Sequence, residues 1–143
     1  MSLQKVVYVA MPLSLQGREY NKIKLAKNKL ISNNSEYRKH SFFNPFKKIN
    51  QNLSGNEIMD ECYKVIKNPE TKAVLYILPL PAIIEESVTL GAISESDLAL
   101  KINKPVFLII FFNGKTTKIS KINHLDDLMK KIPIEADEIE EFM

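Results

Sequence analysis

The chain has 143 residues, 45% hydrophobic and 26% charged, which is the composition of an ordinary globular protein able to close one substantial core. Four glycines and one cysteine exclude a glycine-rich linker and an internal disulfide. The net charge of +3 is unevenly spread: residues 135–143 (EADEIEEFM) carry five acidic groups, against 20 basic and 12 acidic groups in everything before them.

Val6–Met11 (VVYVAM) is a β-branched and aromatic run closed by Pro12, and it reads as a buried strand. Gly17–Ile31 sets Tyr20, Ile23, Leu25, Ala26 and Leu30 among lysines, predicting an amphipathic helix that ends at Ser-Asn-Asn. His40–Phe43 predicts a short strand that stops near Asn44-Pro45. Ser54 followed by Glu57 is a capping-box pattern ahead of Ile58, Cys62, Val65 and Ile66. It predicts a helix ending near Asn68-Pro69.

Ala73–Leu78 (AVLYIL) is apolar at every position, as expected for a strand covered on both faces. After the proline-containing stretch Pro79–Glu86, a helix is expected over Leu90–Ile102. Pro105–Phe112 (PVFLIIFF) is a second wholly apolar strand. Asn113-Gly114 signals a turn, with Thr116–Ile119 expected to pair back as an edge strand. Helical pieces are expected near His124–Lys131 and Glu135–Glu141.

The order β-α-β-α-β-α-β predicts a single α/β domain over residues 1–143, with the acidic segment 135–143 at its end. The expected fold is doubly wound and flavodoxin- or Rossmann-like, a mainly parallel sheet with helices on both faces. Ligands of such sheets bind beyond the strand carboxyl ends. Met11–Arg18, Phe43–Phe46, Pro79–Gly91 and Phe112–Lys115 are therefore the segments where a site is expected. No run is long enough to span a bilayer and no signal-peptide pattern opens the chain, so a cytoplasmic protein without membrane contact is expected. The basic body could attract phosphate groups, but no aromatics are interleaved with it as a nucleic-acid platform would require.

Metal chemistry has no spacing to support it, since His40 and His124 are far apart and Cys62 falls inside a helix. Walker, GxGxxG and nucleophile-elbow patterns are absent. Cys62 reads as a buried helical cysteine, with a nucleophile as the alternative. The informative stretch is Thr89–Pro105 (TLGAISESDLALKINKP), which places Glu95 one helical turn after Gly91.

Here the sequence resembles the nucleoside 2-deoxyribosyltransferase superfamily, and within it the 2'-deoxynucleoside 5'-monophosphate N-hydrolases. The likeness spans roughly residues 6–110. Its carriers are Thr89-Leu90-Gly91, Glu95 four residues after that glycine, Lys104-Pro105, the opening Tyr8-Val9-Ala10-Met11-Pro12, the Gly17-Arg18 loop, and Asp60 in the helix before the third strand. Three positions depart from the family pattern: Met11 stands where the family has Gly, Asp97 where it has a small residue, and Thr89 where the transferases have Asp.

The resemblance implies cleavage of an N-glycosidic bond in a nucleoside or its 5'-monophosphate, by hydrolysis or base transfer and without a cofactor. It assigns Glu95 as the carboxylate beneath the sugar C1', where it stabilises an oxocarbenium-like charge or forms a glycosyl ester. Asp60 is expected to orient the nucleophile or the leaving base. Tyr8, Met11, Gly17, Arg18, Thr89 and Gly91 are expected to bind substrate, the helix start at Thr89–Ala92 and Arg18 through a phosphate, so that 5'-monophosphates are expected to be preferred over nucleosides. A homodimer is expected. Two alternatives stand beside this one: a catalytically inactive nucleotide-binding protein, and an interaction protein using its acidic tail.

Overall fold

The computed structural model of the chain describes residues 4–12, 15–79, 86–112, 115–116, 119–124 and 126–127, with backbone alone for 86–90, 112 and 115. Its strands are β1 (Val6–Ala10), β2 (Ser41–Phe43), β3 (Thr71–Pro79), β4 (Val106–Phe112), β5 (Lys115–Thr116) and β6 (Ser120–Ile122). Its helices are α1 (Tyr20–Asn33), α2 (Pro45–Lys48), α3 (Gly55–Lys67) and α4 (Glu86–Lys101), with a 3-10 turn at Ser35–Tyr37.

The sheet order among the described residues is β2-β1-β3-β4-β5, and β6 also pairs with β4. Neighbours from β2 to β4 are parallel, whereas β5 and β6 return antiparallel. This is a mostly parallel α/β sheet. The two wholly apolar runs are its central strands β3 and β4, because only a strand flanked on both sides and covered on both faces hides every side chain.

Alternation along the strands divides the core. Val7, Val9, Ala73, Leu75, Ile77, Phe107 and Ile109 pack with Ala26 and Leu30 of α1. Tyr8, Ala10, Val74, Tyr76, Leu78, Leu108 and Ile110 pack with Cys62 and Ile66 of α3 and with Ala92 and Ala99 of α4. Among the described residues no helix is long and apolar enough to cross a membrane.

The helix ends show the local chemistry. At α3 the capping box forms in full: Glu57 N–H donates to Ser54 Oγ at 3.2 Å, and Ser54 N–H to Glu57 Oε1 at 3.2 Å. At its other end Lys104 Nζ donates to the carbonyls of Ile66 and Asn68, the latter at 2.8 Å. A cation there satisfies carbonyls that the helix leaves without partners. Helix α4 closes with Asn103 at φ 63°, and the N–H groups of Asn103 and Lys104 return to Leu100 O and Ala99 O. That pattern is a Schellman motif with asparagine in the left-handed position.

Three expectations need correction. Helix α1 starts at Tyr20 rather than at Gly17, because the turn before it holds Gly17 at φ 85°. It also leaves Tyr20 and Leu25 exposed, so its buried stripe is narrower than the pattern suggested. Asn44-Pro45 does not merely stop β2. Asn44 Oδ1 accepts from Phe46 N–H at 3.0 Å and Pro45 takes the first helical position, so the pair starts α2. Helix α4 begins at Glu86, ahead of the expected Leu90. The turn at 113–114 and the helical piece at 135–141 lie outside the described residues, as does most of 124–131.

Candidate functional site

The carboxyl ends of β1 and β2 open into a cleft of about 350 Å³ between the first half of α3 and the middle of α4. Met11 and Pro12 enter it directly from β1, and Pro45 and Phe46 from the Asn-capped turn after β2. Helix α3 contributes Ile58, Met59 and Cys62, while α4 contributes Gly91, Ala92 and Glu95. The polar side chains at its rim are Gln51 and Asn56.

The 3.6-residue period explains which side chains face inward. Positions 58, 59 and 62 of α3 fall on one side, as do 91, 92 and 95 of α4. Helix α4 packs that side over the sheet face bearing Tyr8 and Tyr76. Glu95 is thereby carried into the interior and is only 5% exposed. The Tyr8 hydroxyl donates to Glu95 Oε2. Tyr8 itself is fully buried, stacked on Phe43 with centroids 5.8 Å apart.

Burial sets the electrostatics. Loss of solvent pushes the Glu95 carboxyl up to about 7, even though hydrogen bonds from Tyr8 and Cys62 favour its anion. Burial, followed by the Glu95 charge, pushes the Cys62 thiol up to about 11. The same two causes raise the Tyr8 phenol far above its ordinary range. Tyr8 and Cys62 are therefore neutral donors around one carboxyl group that is poised to titrate near neutrality.

The residues expected from the sequence divide accordingly. Glu95, Met11 and Gly91 line the cleft, and Tyr8 lies behind Glu95. Asp60 is exposed on α3 and does not line the cleft. Gly17 and Arg18 sit in an exposed turn outside the lining. That turn reaches the rim through Gln16 instead, whose Nε2 donates to Gln51 Oε1 at 3.3 Å. Thr89 lies inside α4 rather than at its start, so Thr89–Ala92 is not the free amino end expected to hold a phosphate. Asp97 pairs with Lys101 at 2.9 Å and does not line the cleft.

Sequence reasoning missed Cys62 as part of the cleft wall, along with Gln51, Asn56 and Met59. For Cys62 and Met59, the capping box at Ser54 anchors the helix phase, and continuing that phase would have put both on one face. Among the described residues no group of three or more His, Cys, Asp or Glu side chains is arranged to hold a metal ion. No protein-family model, no curated protein and no solved structure matches the chain.

Proposed function

We propose that the protein cleaves the N-glycosidic bond of a nucleoside-type substrate, with Glu95 as the carboxylate beneath the anomeric carbon. One observation carries the reading: a buried carboxyl, braced from behind by a phenol, faces a largely apolar cleft at the strand carboxyl ends. In this reading the fold is a doubly wound sheet in the flavodoxin-like order, in which the carboxyl ends of the strands are where ligands enter. The likeness to the nucleoside 2-deoxyribosyltransferase superfamily belongs to the same proposal. So do a cytoplasmic location and a homodimeric state.

The chemistry suits the residues. The ionised Glu95 attacks the sugar C1' as the C–N bond breaks, and the base departs with the bonding electrons and takes up a proton. The resulting glycosyl ester is resolved by water, which returns the carboxylate and releases the sugar, or by a second base. No cofactor is needed. Met11, Phe46, Ile58 and Met59 offer an apolar slot to a flat heterocycle, and Asn56 offers an amide to its edge, while the Gln51 amide is held by Pro45 O, Ile49 O and Gln16. Glu95 and the neutral Cys62 thiol are the titratable side chains among the described lining residues, and no lysine, arginine or histidine is among them. An uncharged nucleoside therefore suits the slot better than a monophosphate.

The second reading, a nucleotide-binding protein without catalysis, draws on Met11, which narrows the cleft at the end of β1. Asp97, the departure beyond Glu95, gives it no support, because it pairs with Lys101 and does not line the cleft. The deciding experiment incubates the protein with a panel of nucleosides and 5'-monophosphates and measures free base. Release by the wild type and none by Glu95→Gln supports the enzyme. Ligand binding with no release supports the second reading.

A further inference from the structure

Tyr76 has the only buried side-chain oxygen among the described residues that lacks a hydrogen-bond partner. Buried hydroxyls are almost always paired, because leaving one unpaired forfeits its bonds to water without replacement. The residue is fully buried on β3, on the same sheet face as Tyr8, Cys62 and the inner side of α4.

Strand register locates it relative to Glu95. Tyr8 pairs with Val74, and Tyr76 pairs with Ala10. Two residues along a strand advance about 7 Å, so Tyr76 stands that much nearer the carboxyl ends than Tyr8. The cleft opens at that end, beyond Ala10, at Met11 and Pro12. Burial and then the Glu95 charge raise the Tyr76 phenol, so it lies within the field of that carboxyl and keeps its proton. A carboxylate has about four acceptor positions on two oxygens, and Tyr8 has one proton to give.

We infer that Tyr76 is a positioning residue for Glu95, donating its hydroxyl to the carboxylate when that group is ionised and turned from Tyr8 toward the cleft. In the resting arrangement Tyr8 holds Oε2 and the Tyr76 hydroxyl is in reserve. As the group ionises and turns toward the cleft it leaves one phenol and meets the other, with or without a ligand, so the anion is not left without a donor in an apolar wall. Cys62 cannot substitute fully, because a thiol is a weak donor. The inference rests on reading Glu95 as the working carboxylate.

The test follows the infrared carbonyl band of the protonated Glu95 carboxyl against pH, in wild type and in Tyr76→Phe. Loss of the band in Glu95→Gln assigns it. Removing a donor to the anion should raise the midpoint by about one pH unit, a tenfold change in the proton equilibrium. Thermal melting of Tyr76→Phe should match or exceed wild type, since its hydroxyl has no partner at rest. An unchanged midpoint in a folded variant would reduce Tyr76 to packing and overturn the inference. Failure of the variant to fold would overturn it too, because the hydroxyl would then be carrying structure. The measurement needs no substrate. A midpoint that moves in a protein releasing no base sinks the glycosidic reading alone, and base release with an unmoved midpoint sinks this one alone.

Discussion

The phenol of Tyr8 and the carboxyl of Glu95, 87 residues apart in the chain, are joined by a hydrogen bond inside the covered face of the sheet. The bond links the middle of β1 to the third turn of α4, and it sets the carboxyl at the inner wall of the cleft. Tyr8 stabilises the anion and burial opposes it, and burial is the larger effect.

Replacing Glu95 by Gln is the sharpest test of function. The amide fills the same space, so the variant should fold. It cannot supply an anionic oxygen, so base release should fall by roughly three orders of magnitude or more. Retention of most of the activity in the purified variant would remove Glu95 from the mechanism.

The raised carboxyl also gives stability a pH dependence. Its folded value is about 7 against 4.5 in an unperturbed chain, so between those values the folded state holds more protons than the unfolded state. Stability should therefore be highest below about 4.5 from this group and fall as pH rises toward 7, by on the order of 3 kcal/mol in all. Denaturant midpoints of wild type and Glu95→Gln should diverge across that window, with the variant lacking the decline. Base release should rise over the same range as the nucleophile ionises. Parallel stability curves would show that Glu95 is not desolvated.

Cys62 should react slowly despite lining the cleft. With its thiol pushed up to about 11, the thiolate is scarce at neutral pH, and alkylation should quicken about tenfold per pH unit until then. A bound nucleoside should protect it. Rapid labelling at pH 7 that ligand does not slow would place the thiol outside the site.

Gly91→Ala separates folding from binding. A Cβ there would meet Met59 Sδ at 3.7 Å, an ordinary contact, and alanine is favoured over glycine in a helix by roughly 0.5–1 kcal/mol. The variant should melt at or above wild type yet bind nucleosides more weakly, because the added methyl narrows the slot. Unchanged affinity would move the ligand away from α4.

Ligand charge is the last discriminator. With Glu95 as the charged group among the described lining residues, a nucleoside should bind more tightly than its 5'-monophosphate. Arg18→Ala, in the exposed turn, should change neither affinity by more than about twofold. Tighter monophosphate binding that Arg18→Ala abolishes would restore the phosphate role suggested by the Gly17-Arg18 resemblance.

What was legible in the sequence was local or strongly patterned. Ser54 and Glu57 announce α3 because a capping box is closed within four residues. Ala73–Leu78 and Pro105–Phe112 announce central strands because nothing in them is fit to face water. Glu95 was singled out by the family resemblance, one carrier of which is its spacing from Gly91. What only the tertiary structure decided was which way these elements face. One residue of helix turns a side chain by about 100°, so Asp60 points to solvent while Met59 and Cys62 enter the cleft. Whether Glu95 is a solvated helical acid or a buried one depends on α4 packing over Tyr8 and Tyr76, residues 87 and 19 positions away. Its raised pKa and the unpaired Tyr76 hydroxyl exist only once that packing excludes water, and no local pattern encodes the solvent that a fold removes.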